Sequence, residues 1–283
     1  MKGLDHQANA DVPVATAPLA PGLRRKLATM RFSSGVGLLV LYVLMVLYFS
    51  QASPYFLNLG NFLVIGTNIA YIGIMAVAMT MVILSGGFDL SVGSVVAMSG
   101  VLIAQLYDRG MPIWAAVAVA VVVGPIVGLA NGLLITKLRI NPLITTLGTL
   151  SIVRGLAFVL TGGLTGAVRD PSFAFLGRGT IVGIPVPIII LALVFLAALF
   201  TLHYTPFGRA IYAVGGNAEA SRLAGIDVDR LRVVVYVLSG LAAAVSGAIL
   251  ASMLGAGAPQ AATGIELTVI AAVILGGTSL AGG

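Results

Sequence analysis

Residues 62–88 read FLVIGTNIAYIGIMAVAMTMVILSGGF, an unbroken run without one charged side chain. An α-helix rises about 1.5 Å per residue, so roughly 20 apolar residues cross the ~30 Å hydrocarbon core of a bilayer. Three more charge-free runs, 110–136, 179–208 and 233–265, match or exceed that length. Composition agrees: 59% of the 283 residues are apolar and 8% charged, whereas a soluble domain carries about a quarter of its residues as charges. Mean hydropathy is +1.10. The expected fold is all-α, a polytopic transmembrane helical bundle.

Working outward, spans are expected at about 35–52, 62–84, 90–107, 112–136, 142–162, 185–203, 231–254 and 266–277, eight in all with the last one short. Placing the amino terminus in the cytoplasm puts Lys2, Arg24, Arg25, Lys26, Arg31, Lys137, Arg139, Arg209, Arg222, Arg230 and Arg232 inside. Arg109, Arg169 and Arg178 then fall outside and Arg154 lies within a span, a clear positive-inside bias. The net charge of +6 therefore reports orientation rather than a nucleic-acid partner, because the basic residues sit beside the ends of apolar runs. Residues 1–33, Ala/Pro-rich and weakly apolar, are read as an uncleaved, disordered cytoplasmic arm, and 34–283 as the membrane domain.

Several chemistries are excluded. There is no cysteine, so disulfides, thiolate catalysis and Cys-based metal sites are out. A P-loop needs Lys followed by Ser or Thr, and Lys2, Lys26 and Lys137 are followed by Gly, Leu and Leu. His6 and His203 are too few for a histidine metal cluster. The chain is expected to be no enzyme and to hold no cofactor or metal of its own.

Charges within spans are costly and kept for a reason. Asp89 follows Gly86-Gly87 and precedes the helix expected from 90, so its carboxylate suits an N-cap or a place on a polar path. Arg154, just past the middle of its span, needs a partner or a wet cavity. Glu266 stands in the first turn of its helix, suited to the macrodipole as a cap at the outer interface, or to a gate. Asn68, Gln105, Asn131, Thr145, Thr146 and Ser151 either line a path or bond between closely packed helices.

Two segments fall outside the spans: 163–184, Gly/Pro-rich and expected external, and 204–231, charged and expected cytoplasmic. In the second, Asn217 is a good N-cap, Glu219 suits the first turn, Arg222 the last and Gly225 the C′ position, predicting a two-turn helix over 218–224. Ala220, Leu223 and Ala224 share one face, a small apolar knob suited to a groove on a soluble partner. GG-x-x-L-x-x-G recurs at 86–93 and 276–283, a faint sign of two related halves.

These features resemble the ribose-type family of ABC sugar permeases, membrane subunits of bacterial importers. The resemblance covers about 36–283 and rests on ILSGGFDLSVGS at 83–94, NGL at 131–133, NPLITTLGT at 141–149, RGL at 154–156 and LTGG at 160–163. It continues through Gly208-Arg209 to Asp227 and closes with Ile265-Glu266-Leu267 and Gly276-Gly277-Thr278-Ser279-Leu280. It implies a permease of about ten helices, two copies or a related pair, on two ATP-binding subunits that hold ATP and Mg. A periplasmic or lipid-anchored binding protein would deliver the sugar, and 218–224 would be the coupling helix within segment 204–231. Phe88 and Thr268 depart from the family pattern, which has an aliphatic and, in many members, an acidic residue there. Family members continue for about two more helices beyond Gly283, so the chain is expected to be carboxyl-terminally incomplete. A secondary transporter or channel is the rival reading, but ion coupling normally needs more intramembrane carboxylates than Asp89 and Glu266.

Overall fold

The computed structural model describes residues 34–279. The arm expected over 1–33 and the last residues of the second Gly-Gly motif, 280–283, lie outside the described residues. The first unit contains α1 (Ser34–Ala52), an apolar helix with an edge-to-face contact between Tyr48 and Phe49.

The second unit, from Leu57 onward, is a helical bundle. Its apolar helices are α2 (Leu59–Leu84), α3 (Val92–Asp108), α4 (Ile113–Thr136), α5 (Pro142–Thr161), α7 (Val186–Tyr204), α10 (Val228–Leu254) and α11 (Ile265–Leu275). Between them lie α6 (Pro171–Arg178), α8 (Pro206–Gly216), α9 (Ala218–Leu223) and four two-residue strands, β1 (Gly166–Ala167), β2 (Thr180–Ile181), β3 (Ile184–Pro185) and β4 (Ala256–Gly257). An apolar helix stands at each of the eight expected spans. By length and composition, α2, α4, α5, α7 and α10 suffice to cross a bilayer; the stretch Leu39–Ala52 of α1, and α3 and α11, are shorter apolar helices.

α10 is the axis, packed against α4, α3, α2 and α6. The reason lies in small residues. Lipid is as apolar as leucine, so helices associate there through close backbone approach. Gly124, Gly128 and Gly132 recur every fourth residue, which puts them on one face of α4. A Cβ at Gly124 would strike the Gly240 carbonyl, one at Gly128 the Tyr236 carbonyl, and one at Gly132 would come within 2.8 Å of Val233 Cα. Gly247 of α10 approaches Val96 of α3 in the same way. Around this contact Met75, Met79, Val82, Val95, Val235 and Tyr236 form the dry core.

The Gly/Pro-rich segment 163–184 contains α6. Asp170 caps it by accepting from the backbone N–H of Ser172 and Phe173 (2.9 and 3.1 Å). Ser252 of α10 accepts from Gly177 N–H at 2.8 Å and donates to the Phe173 carbonyl, which fastens α6 to the end of α10. β1 pairs antiparallel with β4, Gly166 opposite Gly257, and β2 pairs with β3.

Candidate functional site

The chain between α2 and α3 turns inside the bundle. Gly86 adopts φ +80°, a conformation that favours glycine, and a Cβ at Gly87 would run into the Tyr236 hydroxyl, which donates to the Phe88 carbonyl at 3.0 Å. The next residue, Asp89, is buried and accepts three bonds, from Ser91 N–H (3.0 Å), the Ser91 hydroxyl (2.5 Å) and the Ser239 hydroxyl of α10 (2.7 Å). Asn131 of α4 donates to Ser91 Oγ at 2.9 Å and accepts from Thr149 of α5 at 2.6 Å. One chain of bonds thus joins α10, the α2–α3 turn, α4 and α5. This corrects the expected cap: α3 starts at Val92, its N-cap position is Ser91, and Asp89 closes an Asx turn ahead of it while reaching across to α10.

A second polar site lies on the other side of α3. After α10 the chain reverses: Gly257 packs on Gly100, and Ala262 and Glu266 reach Gly93. Seven residues along α3 correspond to about 10 Å, so residues 257–262 travel that far through the bundle as irregular backbone. Such backbone is tolerated in a membrane only where its polar groups find partners. Arg154 of α5 supplies them, donating from Nη1 to the carbonyls of Pro259 (2.7 Å) and Ala261 (2.6 Å). Ala262 holds a positive φ of 55°, strained for a residue with a Cβ. Glu266 occupies the first turn of α11, as expected, but behind Gly264 at the N-cap, and it turns inward: its Oε2 is buried against Gly93 and accepts no hydrogen bond. Arg154 and Glu266 flank the segment without forming an ion pair; within the described residues the ion pairs are elsewhere.

The structure therefore gathers Asp89 and Asn131 in one network and Arg154 and Glu266 around another. It leaves Asn68 apart, on an exposed face of α2. Thr146, Ser151 and Thr145 serve α5 itself or stay buried: the first two bond back to Pro142 and Leu147, and Thr145 Oγ1 has no partner. Gln105 lines a small polar recess with Asp108 and Thr161.

The third site is the segment between α7 and α10. It contains, ahead of the expected helix, α8, capped by Thr205 accepting from Gly208 N–H at 3.2 Å. α9 follows directly. Asn217 accepts from Ala220 N–H at 2.9 Å, Ala224 is the C-cap and Gly225 takes φ +86°, so both ends fall where the residue types place them. Arg222 bonds Glu219 at 3.1 Å and reaches Asp229 at 3.4 Å, tying α9 to the first turn of α10. Ser221 alone in α9 is buried; Ala220 and Ala224 are exposed, and Leu223 is 83% exposed. Leu223 is thus an apolar side chain held out from a helix capped at both ends.

Sequence reasoning missed Ser91, Thr149, Ser239 and the whole 257–263 segment. The D-x-S spacing of Asp89 and Ser91 carries an Asx-turn signal. Nothing in the sequence joins Ser239 to Asp89, 150 residues away.

Residues 61–283 match the family model described as branched-chain amino acid transport system / permease component. The chain is 44% identical over 242 residues to the ribose import permease protein RbsC of Bacillus subtilis (strain 168), covering 85% of this chain and 75% of that protein. It is 42% identical over 258 residues to RbsC of Escherichia coli (strain K12), covering 90% and 79%. With the L-arabinose transport system permease protein AraH of E. coli (strain K12) identity is 41% over 247 residues, covering 87% and 75%. No solved structure matches. With its glycine-packed bundle, inward-turned polar segments and short capped helix between α8 and α10, the chain belongs to the permease-component family of these transport systems.

Proposed function

We propose that this chain is the permease subunit of a bacterial ABC importer, moving a ribose-like monosaccharide or polyol across the cytoplasmic membrane. Its relatives are named as ribose and arabinose permeases. The observation that carries the reading is α9: a capped two-turn helix presenting an exposed leucine between two membrane helices, among basic residues. In this reading the basic end is cytoplasmic, the amino terminus is inside, and eight helices lie in the membrane. Asn217, Glu219, Ala220, Arg222, Leu223, Ala224 and Gly225 form the coupling element for an ABC ATP-binding subunit that holds ATP and Mg. A binding protein delivers sugar on the other side, and a second permease copy, or a related chain, completes the pathway. Asp89 and Asn131 hold the helices around that pathway. Arg154, Glu266 and residues 257–263 form its movable wall, and Asn68 faces outward toward the pathway or the second copy.

The test is sugar uptake into right-side-out membrane vesicles or proteoliposomes that enclose ATP, with the ATPase subunit and binding protein present, then with each omitted. Uptake should need both and should ignore a proton ionophore. Undiminished, proton-driven uptake without the ATPase would replace this reading with a secondary transporter.

A further inference from the structure

A cavity of about 390 Å³ opens where α10 begins, between the α4–α5 turn and α9. Arg139, Arg222 and Arg232 line it together with Asn141, Thr136 and Gly86, and among the described residues the one carboxylate in its wall is Asp229. That carboxylate is already shared, with Arg222 at 3.4 Å and Lys137 at 3.5 Å. Arg139 and Arg232 form no ion pair with any described residue. The Nε of Arg232 is buried without a hydrogen-bond partner, the kind of unmet donor that native structures rarely tolerate. Arg139 is held at φ +55°, where glycine or asparagine would sit more easily, so its place at the rim is maintained against backbone strain. Asn141 spends its side-chain oxygen on the N–H of Leu143 at 2.9 Å, which leaves its amide N–H₂ as a further donor. The wall therefore offers donors and positive charge in excess of what its one carboxylate, Asp229, can meet.

We propose that this cavity binds a phosphate group. Guanidinium forks match phosphate oxygens two at a time, and basic pockets between membrane helices at the cytoplasmic side suit the headgroups of anionic lipids. The same chemistry is offered by an anionic phospholipid headgroup and by a free phosphate. The site is distinct from the apolar knob of α9 and stands whether or not the sugar-import reading holds, because it rests on the charge and geometry of the wall alone.

The experiment compares the full-length protein with Arg232→Gln and Arg139→Gln. Arg139 is exposed in a turn, so its variant folds even if the change at the half-buried Arg232 does not. In the first arm, inorganic phosphate is titrated against chloride at equal ionic strength in zwitterionic nanodiscs and thermal stability is read. In the second, native mass spectrometry counts phosphatidylglycerol retained from mixed phosphatidylglycerol and phosphatidylcholine nanodiscs. A free-phosphate site shows saturable stabilisation weakened about tenfold or more in each variant. A headgroup site shows phosphatidylglycerol retained by the wild type and lost by the variants. Wild type and variants alike in both arms would overturn the proposal. So would protection that appears only when an ATPase subunit is added, since the anion would then be a protein carboxylate.

Discussion

Truncating Leu223 to alanine removes an apolar group that the fold does not use. The side chain is 83% exposed, so the free permease should keep its stability within about 0.5 kcal/mol. If α9 docks into a groove of an ATPase, the same truncation removes about three carbons from a buried contact. At ~0.8 kcal/mol per buried CH₂, scaled by the exposed fraction, the loss is ~2 kcal/mol, or about 30-fold in Kd. Leu223→Arg should go further and abolish assembly, because it places a second guanidinium beside Arg222 in an apolar groove. Asn217→Ala, which loses the bond to Ala220 N–H, should cost about 1 kcal/mol and weaken coupling in part. The assay is titration of the purified permease with the ATPase, read as Kd and as binding-protein-stimulated ATP hydrolysis. Unchanged Kd and unchanged stimulated hydrolysis in Leu223→Arg would refute the assignment of α9 as the coupling helix.

Replacing Gly128 with leucine should destabilise the bundle by more than the ~1–3 kcal/mol typical of overpacking, because the new Cβ meets the Tyr236 backbone rather than a movable side chain. The same change at Gly148, where a Cβ meets nothing, is the control, and equal melting temperatures for the two variants would count against the glycine contact as the axis of the fold. Arg154→Met leaves the carbonyls of Pro259 and Ala261 without donors, at about 1–3 kcal/mol for each one left buried and unmet. Hydrogen exchange should then quicken across 256–264 and stay slow in α4; equal protection would show that Arg154 does not hold the segment. Asp170 is kept below its ordinary carboxylate value first by the Ser172 hydroxyl and then by the Phe173 N–H. A lowered folded value means that the cap is fully present above the unfolded pKa of about 3.9 and is lost as pH falls through the folded one. The amides of Ser172 and Phe173 should therefore stay protected at pH 5 and open in stronger acid, whereas Asp170→Ala opens them at neutral pH; protection indifferent to both would remove Asp170 as the cap.

The membrane helices were legible because hydrophobicity over about 20 residues is a local property that needs no knowledge of neighbours. The ends of α9 were legible for a similar reason: Asn217 and Gly225 act within one turn of themselves. α8 was not, since its glycines at 208, 215 and 216 weaken local helix signals, and its buried Ile211 and Val214 complete it only by joining the core. Asp89 shows where the boundary falls. Its Asx turn with Ser91 is written in adjacent residues, but its bond to Ser239 depends on how α10 is rotated against α3 and α4. That rotation follows from glycine faces meeting at Gly124, Gly128 and Gly240, a contact between residues more than 100 positions apart. The course of 257–262, its rescue by Arg154 and the convergence of Arg139, Arg222 and Arg232 on one cavity are likewise tertiary. The sequence determined which stretches must leave water and which ends are capped, because those depend on local chemistry. Only the packed structure decided which polar groups meet, because in a chain this apolar partners are chosen by helix rotation and close approach, and neither is encoded within reach of a single helix turn.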